Sequence, residues 1–189
     1  MYKKYLILIL LFISSFYSLY IQADDEGFSS FFNSFFDKEP DVAPIKNALY
    51  LEECGACHFA YQPGLLPSRS WEKMLSQQEA RNHFEEDITF DDKVVKAQIM
   101  HYLTDNAAEY SSFKRSRKIM RSLPSSASPL RISEIPYIKR KHGEMPEKLI
   151  VQLNAGSIAN CEACHQNASK GIYDDDEIQI PSTGLFDYD

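Results

Sequence analysis

Two short stretches of this 189-residue chain, CGACH at residues 54–58 and CEACH at residues 161–165, carry its most specific information. In each stretch two cysteines stand three residues apart, so on one helical turn both thiols face the same way. There they can form thioethers with the two vinyl groups on one edge of a porphyrin, while the adjacent histidine offers a nitrogen to the iron. Cys-x-x-Cys-His is the attachment signature of c-type haem. The repeated motif therefore predicts two covalently bound haem c groups, held by Cys54, Cys57, His58, Cys161, Cys164 and His165.

Three other uses of paired cysteines fit the sequence less well. A thioredoxin-like redox pair follows a strand in a βαβ unit, and the chain has no such pattern. A zinc site can combine Cys-x-x-Cys with histidine, so a single motif would not exclude zinc. Two disulfides would suit an exported chain with four cysteines, but they would need no histidine. The occurrence of the same five-residue pattern twice favours haem attachment.

The first 23 residues have the composition of a secretory signal peptide. Two lysines give a positive start, residues 5–21 are uncharged and largely apolar, and Ala23 is a small residue suited to cleavage. The apolar run is nearly long enough to span a bilayer, so an uncleaved membrane anchor is the alternative. Serines within the run favour cleavage. We therefore expect an exported mature chain that begins at Asp24, with a phenylalanine-rich linker over residues 24–44.

The mature chain is expected to be acidic. The full chain has 20 Lys and Arg residues against 27 Asp and Glu residues, and loss of the two signal lysines changes the formal net charge from −7 to −9. An acidic surface argues against a nucleic-acid partner and suggests a basic protein partner or none. No second apolar run of membrane length follows, so the mature protein is expected to be soluble. Basic clusters at residues 114–121 and 139–141 are candidate docking faces, and each fits a merely solvated surface equally well.

The spacing of apolar residues predicts an all-α chain with long loops. No stretch shows strand alternation, whereas Val94, Val95, Ile99 and Leu103 recur at helical spacing. Helices are expected at residues 48–60, 70–86, 91–108, 114–121, 133–142 and 146–157, with Ser70 and Ser133 as N-caps. A proline- and serine-rich loop at residues 123–129 is the expected boundary between two haem domains. The first domain would cover residues 45–122, and the second, with an acidic tail, residues 123–189.

The second axial ligand of each iron must come from the remaining histidines and methionines. His83 lies near the end of the helix that follows the first motif, and His142 at the end of a helix ahead of the second. Each is therefore one helix away from a haem, and these two are the predicted distal ligands. His101 is interpreted as a surface or core residue, because its neighbours suffice to explain its helix. The methionines are interpreted as packing residues, since flexible thioethers fill gaps in cores.

Two histidines on each iron would make six-coordinate, low-spin centres with no vacant site. Such centres exchange electrons readily because their geometry changes little with oxidation state, and histidine in place of an axial methionine lowers the potential. The sequence thus predicts an electron carrier with two low-potential haems, and not an enzyme. The alternatives are a dihaem peroxidase-like enzyme and a haem-based gas sensor, each of which requires one open iron.

The motifs and their surroundings resemble the dihaem cytochrome c family of bacterial periplasms. The similarity includes both attachment motifs, the YQPGLLP loop at residues 61–67, Ser70-Trp71, His83-Phe84 and the RISEIP stretch at residues 131–136 that leads to His142. It extends from about residue 43 to residue 181. The loop is the most specific piece, because generic cytochromes c do not need it.

The resemblance implies a class I cytochrome c-like N-terminal haem domain, a smaller helical C-terminal haem domain and a periplasmic location. It implies that His58 and His83 bind one iron, and that His165 and His142 bind the other. It also implies a redox partner. That partner would be a monohaem cytochrome c whose open iron binds oxygen or nitric oxide, or a membrane cytochrome b.

Overall fold

The structure is a computed structural model, and it describes residues 38–143, 145–152, 157–175 and 178. The predicted signal peptide, most of the predicted linker and most of the acidic tail lie outside the described residues. None of the helices in the described part is long and apolar enough to cross a membrane.

The described part of the chain is helical, which confirms the predicted all-α class. No β-strand occurs there, and only two isolated β-bridges join His83 with Glu86 and His165 with Ile178. The α-helices are α1 (Ala48–Cys54), α2 (Ser68–Met74), α3 (Gln77–Ala80), α4 (Lys93–Asp105), α5 (Lys114–Ser122), α6 (Pro136–His142) and α7 (Glu147–Gln152). Short 3-10 helices lie at Pro63–Leu65, Ala108–Tyr110, Ile132–Glu134, Cys161–Ala163 and Ala168–Lys170.

Several helix ends differ from the sequence expectations. The predicted helix over residues 70–86 is two short helices. The first ends at Met74, and Ser76 caps the next by accepting a hydrogen bond from the Glu79 amide. Ser70 is not a cap: α2 begins after Pro67, whose extended backbone leads into the first turn. Ser133 is likewise not the cap of α6, which has Pro136 in its first turn. A proline there has a fixed φ that suits a helix start, and this local preference outweighs the serine.

Helix α4 lies at the centre of the packing. It contacts α1, α2 and the Pro63–Leu65 turn, and its Ile99 and Leu103 side chains are fully buried. Its N-terminus is capped by Asp92, whose carboxylate accepts from the Val94 amide at 2.7 Å. Trp71 of α2 lies against this core and donates its indole N–H to the Pro63 carbonyl at 2.9 Å. These contacts fix the loop that follows the first cysteine motif.

One buried cluster contains residues from both predicted haem domains. Ile119 of α5, Ile135 ahead of α6, Ala168 and Tyr173 belong to the same apolar core as Ile99. Residues Glu39–Asp189 form one compact unit accordingly. The division into a first and a second haem domain at residues 122 and 123 stays a prediction.

The chain segment before α1 is held by the segment after the second motif. The Gly171 carbonyl accepts hydrogen bonds from the amides of Asp41 and Val42, at 2.9 and 3.1 Å. Gly171 has φ of 78°, in the left-handed region that favours glycine, and a Cβ there would collide with the Val42 carbonyl. The tight approach of two distant segments therefore depends on the absence of a side chain at residue 171.

We expect Gly171→Ala to lower the free energy of unfolding by about 2 kcal/mol or more, because the methyl group meets both a disfavoured φ and the Val42 backbone. Denaturant unfolding of the two proteins measures this difference. Ser169→Ala is the matched control, since Ser169 is exposed on the same turn and should change stability by less than about 0.5 kcal/mol. Equal stability of the Gly171→Ala variant and the parent would show that the two segments are not closely packed.

Candidate haem sites

The first cysteine motif lies at the end of α1, and its histidine follows in a turn. Cys54 is the last residue of the helix, so the helix is shorter than the predicted 48–60 and the motif spans its end. The Nδ1 atom of His58 is 2.7 Å from the Phe59 carbonyl oxygen. A carbonyl only accepts, so Nδ1 carries the proton and Nε2 keeps a lone pair for a metal.

His83 lies on a strained turn opposite His58. The turn is closed by two backbone hydrogen bonds between His83 and Glu86, at 2.8 and 3.1 Å. Its central residues Phe84 and Glu85 both have positive φ, of 51° and 78°. Two consecutive non-glycine residues in the left-handed region are uncommon, and such strain is concentrated at functional sites. The ring centroids of His58 and His83 are 6.3 Å apart, and the two planes make an angle of 32°.

The second motif and its predicted partner form a similar arrangement. Cys161–Ala163 is one turn of 3-10 helix, and the His165 amide donates to the Cys161 carbonyl at 2.8 Å. His142 is the last residue of α6, and its Nδ1 atom lies 2.9 Å from the Ile138 carbonyl one turn earlier. The ring centroids of His142 and His165 are 6.2 Å apart, with an angle of 83° between the planes.

Both distances suit a metal ion between two imidazoles. A histidine nitrogen binds a transition metal at about 2 Å and lies about 1 Å from its ring centroid, so two rings on opposite sides of one ion have centroids about 6 Å apart. Packing of two rings against each other does not by itself favour this separation. The residues present therefore fit an iron bound from both sides in each site.

The electrostatics of the sites favour neutral imidazoles, which is the form that binds a metal. Burial lowers the pKa of His83, and the neighbouring His58 and the Arg131 guanidinium lower it further. Burial also lowers the pKa of His165, with further contributions from His142 and Arg115. In each pair the second ring thus disfavours a proton on the first.

Cys54, Cys161 and Cys164 are partly buried, whereas Cys57 is exposed. None of them is joined in a disulfide. Burial raises the pKa of Cys54 and that of Cys161 to about 11 each, and burial also raises the pKa of Cys164. A thioredoxin-like pair needs a thiol with a lowered pKa. The thiol environments therefore argue against that use of the two motifs.

Comparison with known proteins identifies the family. The profile of the family described as dihaem cytochrome c matches residues 50–173, about two thirds of the chain. The chain belongs to the dihaem cytochrome c family. It is similar to a diheme cytochrome c from Rhodobacter sphaeroides, with 39% identity, a TM-score of 0.61, and coverage of 69% of this chain and 99% of that one. It is also similar to a diheme cytochrome type c from Shewanella baltica OS155, with 32% identity, a TM-score of 0.57, and coverage of 73% and 95%. No curated protein matches.

Membership of the family makes this chain a haem protein with two haem groups and indicates an electron-carrying cytochrome. The alternatives expected from sequence, a peroxidase-like enzyme and a gas sensor, gain no support from these similarities. The assignment of individual cysteines and histidines to each haem rests on the geometry of the two histidine pairs.

The other candidate ligands of this dihaem cytochrome have varied surroundings. Met145 is close to the second histidine pair, because its amide donates to the His142 carbonyl at 3.1 Å. The side chain of His101 is 79% exposed and faces Asp105 one turn later, at 3.2 Å. Met74, Met100 and Met120 pack against the apolar core, as their interpretation as packing residues requires.

Tyr61 connects the two sites, a role that sequence reasoning missed. Its ring centroid is 5.3 Å from that of His58, and its hydroxyl donates to the Ala159 carbonyl at 2.8 Å, two residues before Cys161. Burial raises the pKa of Tyr61 to about 12, so the hydroxyl stays protonated. Tyr61 opens the loop on which the family resemblance was strongest, and that loop was the signal that could have identified it.

A buried polar network beside the second site was also missed. The Tyr173 ring lies 5.5 Å from the His165 ring, and its hydroxyl donates to the side chain of Gln62 at 2.5 Å. Arg115 and Asp41 are paired beside Tyr173. Nothing in the sequence indicates this network, because Arg115 stands in a run of basic residues that would suit a solvated helix face.

We expect His83→Ala to open the iron of the first site and His142→Ala that of the second, while both haems stay covalently bound. The removed imidazole leaves one coordination position vacant, so a high-spin absorption band and carbon monoxide binding should appear. His101→Ala is the control, since His101 is exposed and should leave a fully low-spin spectrum. A low-spin spectrum in the His83→Ala variant would exclude His83 as a ligand.

The different angles between the imidazole planes predict two distinct electron paramagnetic resonance signals from the oxidised protein. Two iron d orbitals can interact with the π systems of the imidazoles. Rings closer to parallel both interact with the same one of these orbitals and separate its energy from that of the other, which gives a rhombic low-spin signal. Near-perpendicular rings leave these orbitals almost degenerate, giving a highly anisotropic signal with a large maximal g value. We expect the first kind from His58 and His83, and the second from His142 and His165. Two identical rhombic signals would contradict this geometry.

Proposed function

We propose that this chain is a periplasmic electron carrier with two covalently bound haem c groups and two histidines on each iron. His58 and His83 would bind the first iron, and Cys54 and Cys57 would hold its porphyrin. His165 and His142 would bind the second iron, and Cys161 and Cys164 would hold its porphyrin. The observation that carries the proposal is the separation of about 6 Å between the rings of each histidine pair.

When bound, each haem supplies one reversible one-electron couple. The protein's own contribution is to fix the ligands and limit access. The Phe59 and Ile138 carbonyls orient the rings of His58 and His142 through their Nδ1 atoms, which keeps each Nε2 atom directed at the metal. An imidazole on each side leaves no position for oxygen, peroxide or nitric oxide. This arrangement favours electron transfer over the peroxidase and gas-sensor alternatives, both of which need a vacant position.

The periplasmic location is part of the proposal and is supported by the sequence of residues 1–23. A basic start, an uncharged apolar run and Ala23 are typical of a signal peptide. Attachment of haem through two cysteines also fits an exported chain with four cysteines that form no disulfides. We expect the mature protein to begin at Asp24 and to be soluble.

We further propose that the redox partner is another cytochrome, and not a nucleic acid or a small-molecule substrate. The family resemblance favours either a monohaem cytochrome c that binds oxygen or nitric oxide, or a membrane cytochrome b. Charged side chains flank both distal histidines and are available for docking. Lys139, Arg140 and Lys141 are exposed just before His142, and Glu85 and Glu86 are exposed just after His83.

The decisive experiment is mass spectrometry of the protein exported from a host that carries out cytochrome c maturation. The expected mass is that of residues 24–189 plus two haem groups, and Cys161→Ala should weaken attachment of the second haem. Ser169→Ala should retain both haems. A colourless protein with four free thiols would overturn the proposal, and a full-length mass would overturn signal cleavage alone.

A further inference from the structure

We propose that Arg115 and Asp41 form a fixed charge pair that sets the reduction potential of the haem held by His142 and His165, with contributions of opposite sign. The inference rests on the proposed haem ligation and extends it to a difference between the two haems. It assigns both residues a positioning role, in which they act on the iron through space and through Tyr173 without binding it.

The pair is held rigidly by main-chain and side-chain contacts. An Arg115 terminal nitrogen donates to the Asp41 carboxylate at 3.0 Å and to the Tyr173 carbonyl at 2.8 Å. The same Asp41 oxygen accepts from the Tyr173 amide at 2.9 Å. The Arg115 amide donates to the Asp41 carbonyl at 3.1 Å. Three distant segments of the chain thus fix the positions of the two charges.

Both charges are close to the second site. The guanidinium carbon of Arg115 lies 5.5 Å from the Tyr173 ring centroid, and the His165 ring lies 5.5 Å from the same centroid. Asp41 is 3.0 Å from the Arg115 guanidinium and 2.9 Å from the Tyr173 amide, so it lies on the same side of Tyr173 as Arg115. The two charges therefore act on the haem that His165 binds.

Burial makes these charges effective. The side chains of Arg115 and Asp41 are only 13% and 23% exposed, so water and salt screen them weakly. The Nε atom of Arg115 and the Nδ1 atom of His165 are both buried and have no hydrogen-bond partner among the described residues. Lys141 and Asp175 also lie near this site, but their side chains are 43% and 63% exposed. Water and salt therefore screen Lys141 and Asp175 more than they screen Arg115 and Asp41.

The first site has no comparable pair in the part of the chain that the structure describes. A cation beside it is Arg131, whose guanidinium lies 3.9 Å from the Phe84 ring centroid and whose side chain is 52% exposed. An exposed charge of this kind is screened by water and salt. Changes at Arg115 and Asp41 should therefore affect one haem and leave the other as an internal reference.

The sign of each effect follows from the charge on the iron. A nearby positive charge favours the reduced iron, which is less positive, and a nearby negative charge favours the oxidised iron. At roughly 10 Å and an effective dielectric constant of about 20, one unit charge changes the reduction equilibrium by on the order of tenfold. Arg115→Gln should lower the potential of the second haem, and Asp41→Asn should raise it. A tenfold change corresponds to 59 mV for a one-electron couple.

The test is a redox titration of the haem-loaded protein, with each haem followed through its own electron paramagnetic resonance signal. The signals are assigned by the loss of one low-spin signal in the His83→Ala variant. The variants are Arg115→Gln, Asp41→Asn, their double mutant and Arg115→Lys. Arg117→Gln is the matched control, because Arg117 is exposed on the same helix.

The expected result is a pair of opposite shifts confined to the second haem. The double mutant should return close to the parent potential, and Arg115→Lys, which keeps the charge, should shift it less than Arg115→Gln. If the substitutions merely loosened the fold, both single variants would shift the potential of the second haem in the same direction. The double mutant would then shift it further.

Shifts of equal sign, equal shifts of both haems, or a shift in Arg117→Gln as large as in Arg115→Gln would overturn the inference. Failure of the proposed function is visible separately, in a parent protein that lacks two low-spin haem signals. A parent with both signals and without opposite shifts would leave the haem ligation intact and reject the charge pair.

Discussion

The proposed ligation of each iron by two imidazoles requires rings on opposite sides of the metal, with centroids about 6 Å apart, and the fold brings two histidine pairs to this separation. In the first site the two rings come from residues 25 positions apart, on the turn after α1 and on the strained turn after α3. In the second they come from the end of α6 and from the turn after Cys161. Short helices suit this arrangement because their ends position the histidines: α1 ends just before His58, and α6 ends at His142. The apolar core around Ile99 and Trp71 then fixes these ends relative to one another.

The two sites share a framework and differ in their electrostatic surroundings. Tyr61 contacts the ring of His58 and donates to a carbonyl just before Cys161, so one side chain touches both sites. The second site also adjoins a buried ion pair, whereas the charges around the first are exposed. With the proposed ligands on both irons, these different surroundings would give the two haems different potentials.

Prediction from sequence was most accurate where local chemistry dictates local structure. The ends of helices α4 and α5 were predicted within a few residues. For α4 the reason is that apolar residues at helical spacing must face a core and that Asp92 is a strong N-cap. It was least accurate where two local signals competed. Ser70 and Ser133 were expected to cap helices, but prolines at positions 67 and 136 fix the backbone there and determine the starts. The break at Ser76 was missed for a related reason. A serine within an apolar pattern can be either a helix-interior residue or an N-cap, and the sequence does not distinguish the two.

The sequence by itself determined the class of cofactor, because Cys-x-x-Cys-His specifies porphyrin attachment within five residues and needs no knowledge of the fold. It also singled out His83 and His142, each one helix from a motif. Only the tertiary structure decided what surrounds the ligands. The angles between ring planes, the strained turn at Phe84 and Glu85, and the pairing of Arg115 with Asp41 all depend on residues far apart in the chain. Sequence spacing carries no information on such contacts, since burial of one arginine in a basic run is set by the segments that pack on it.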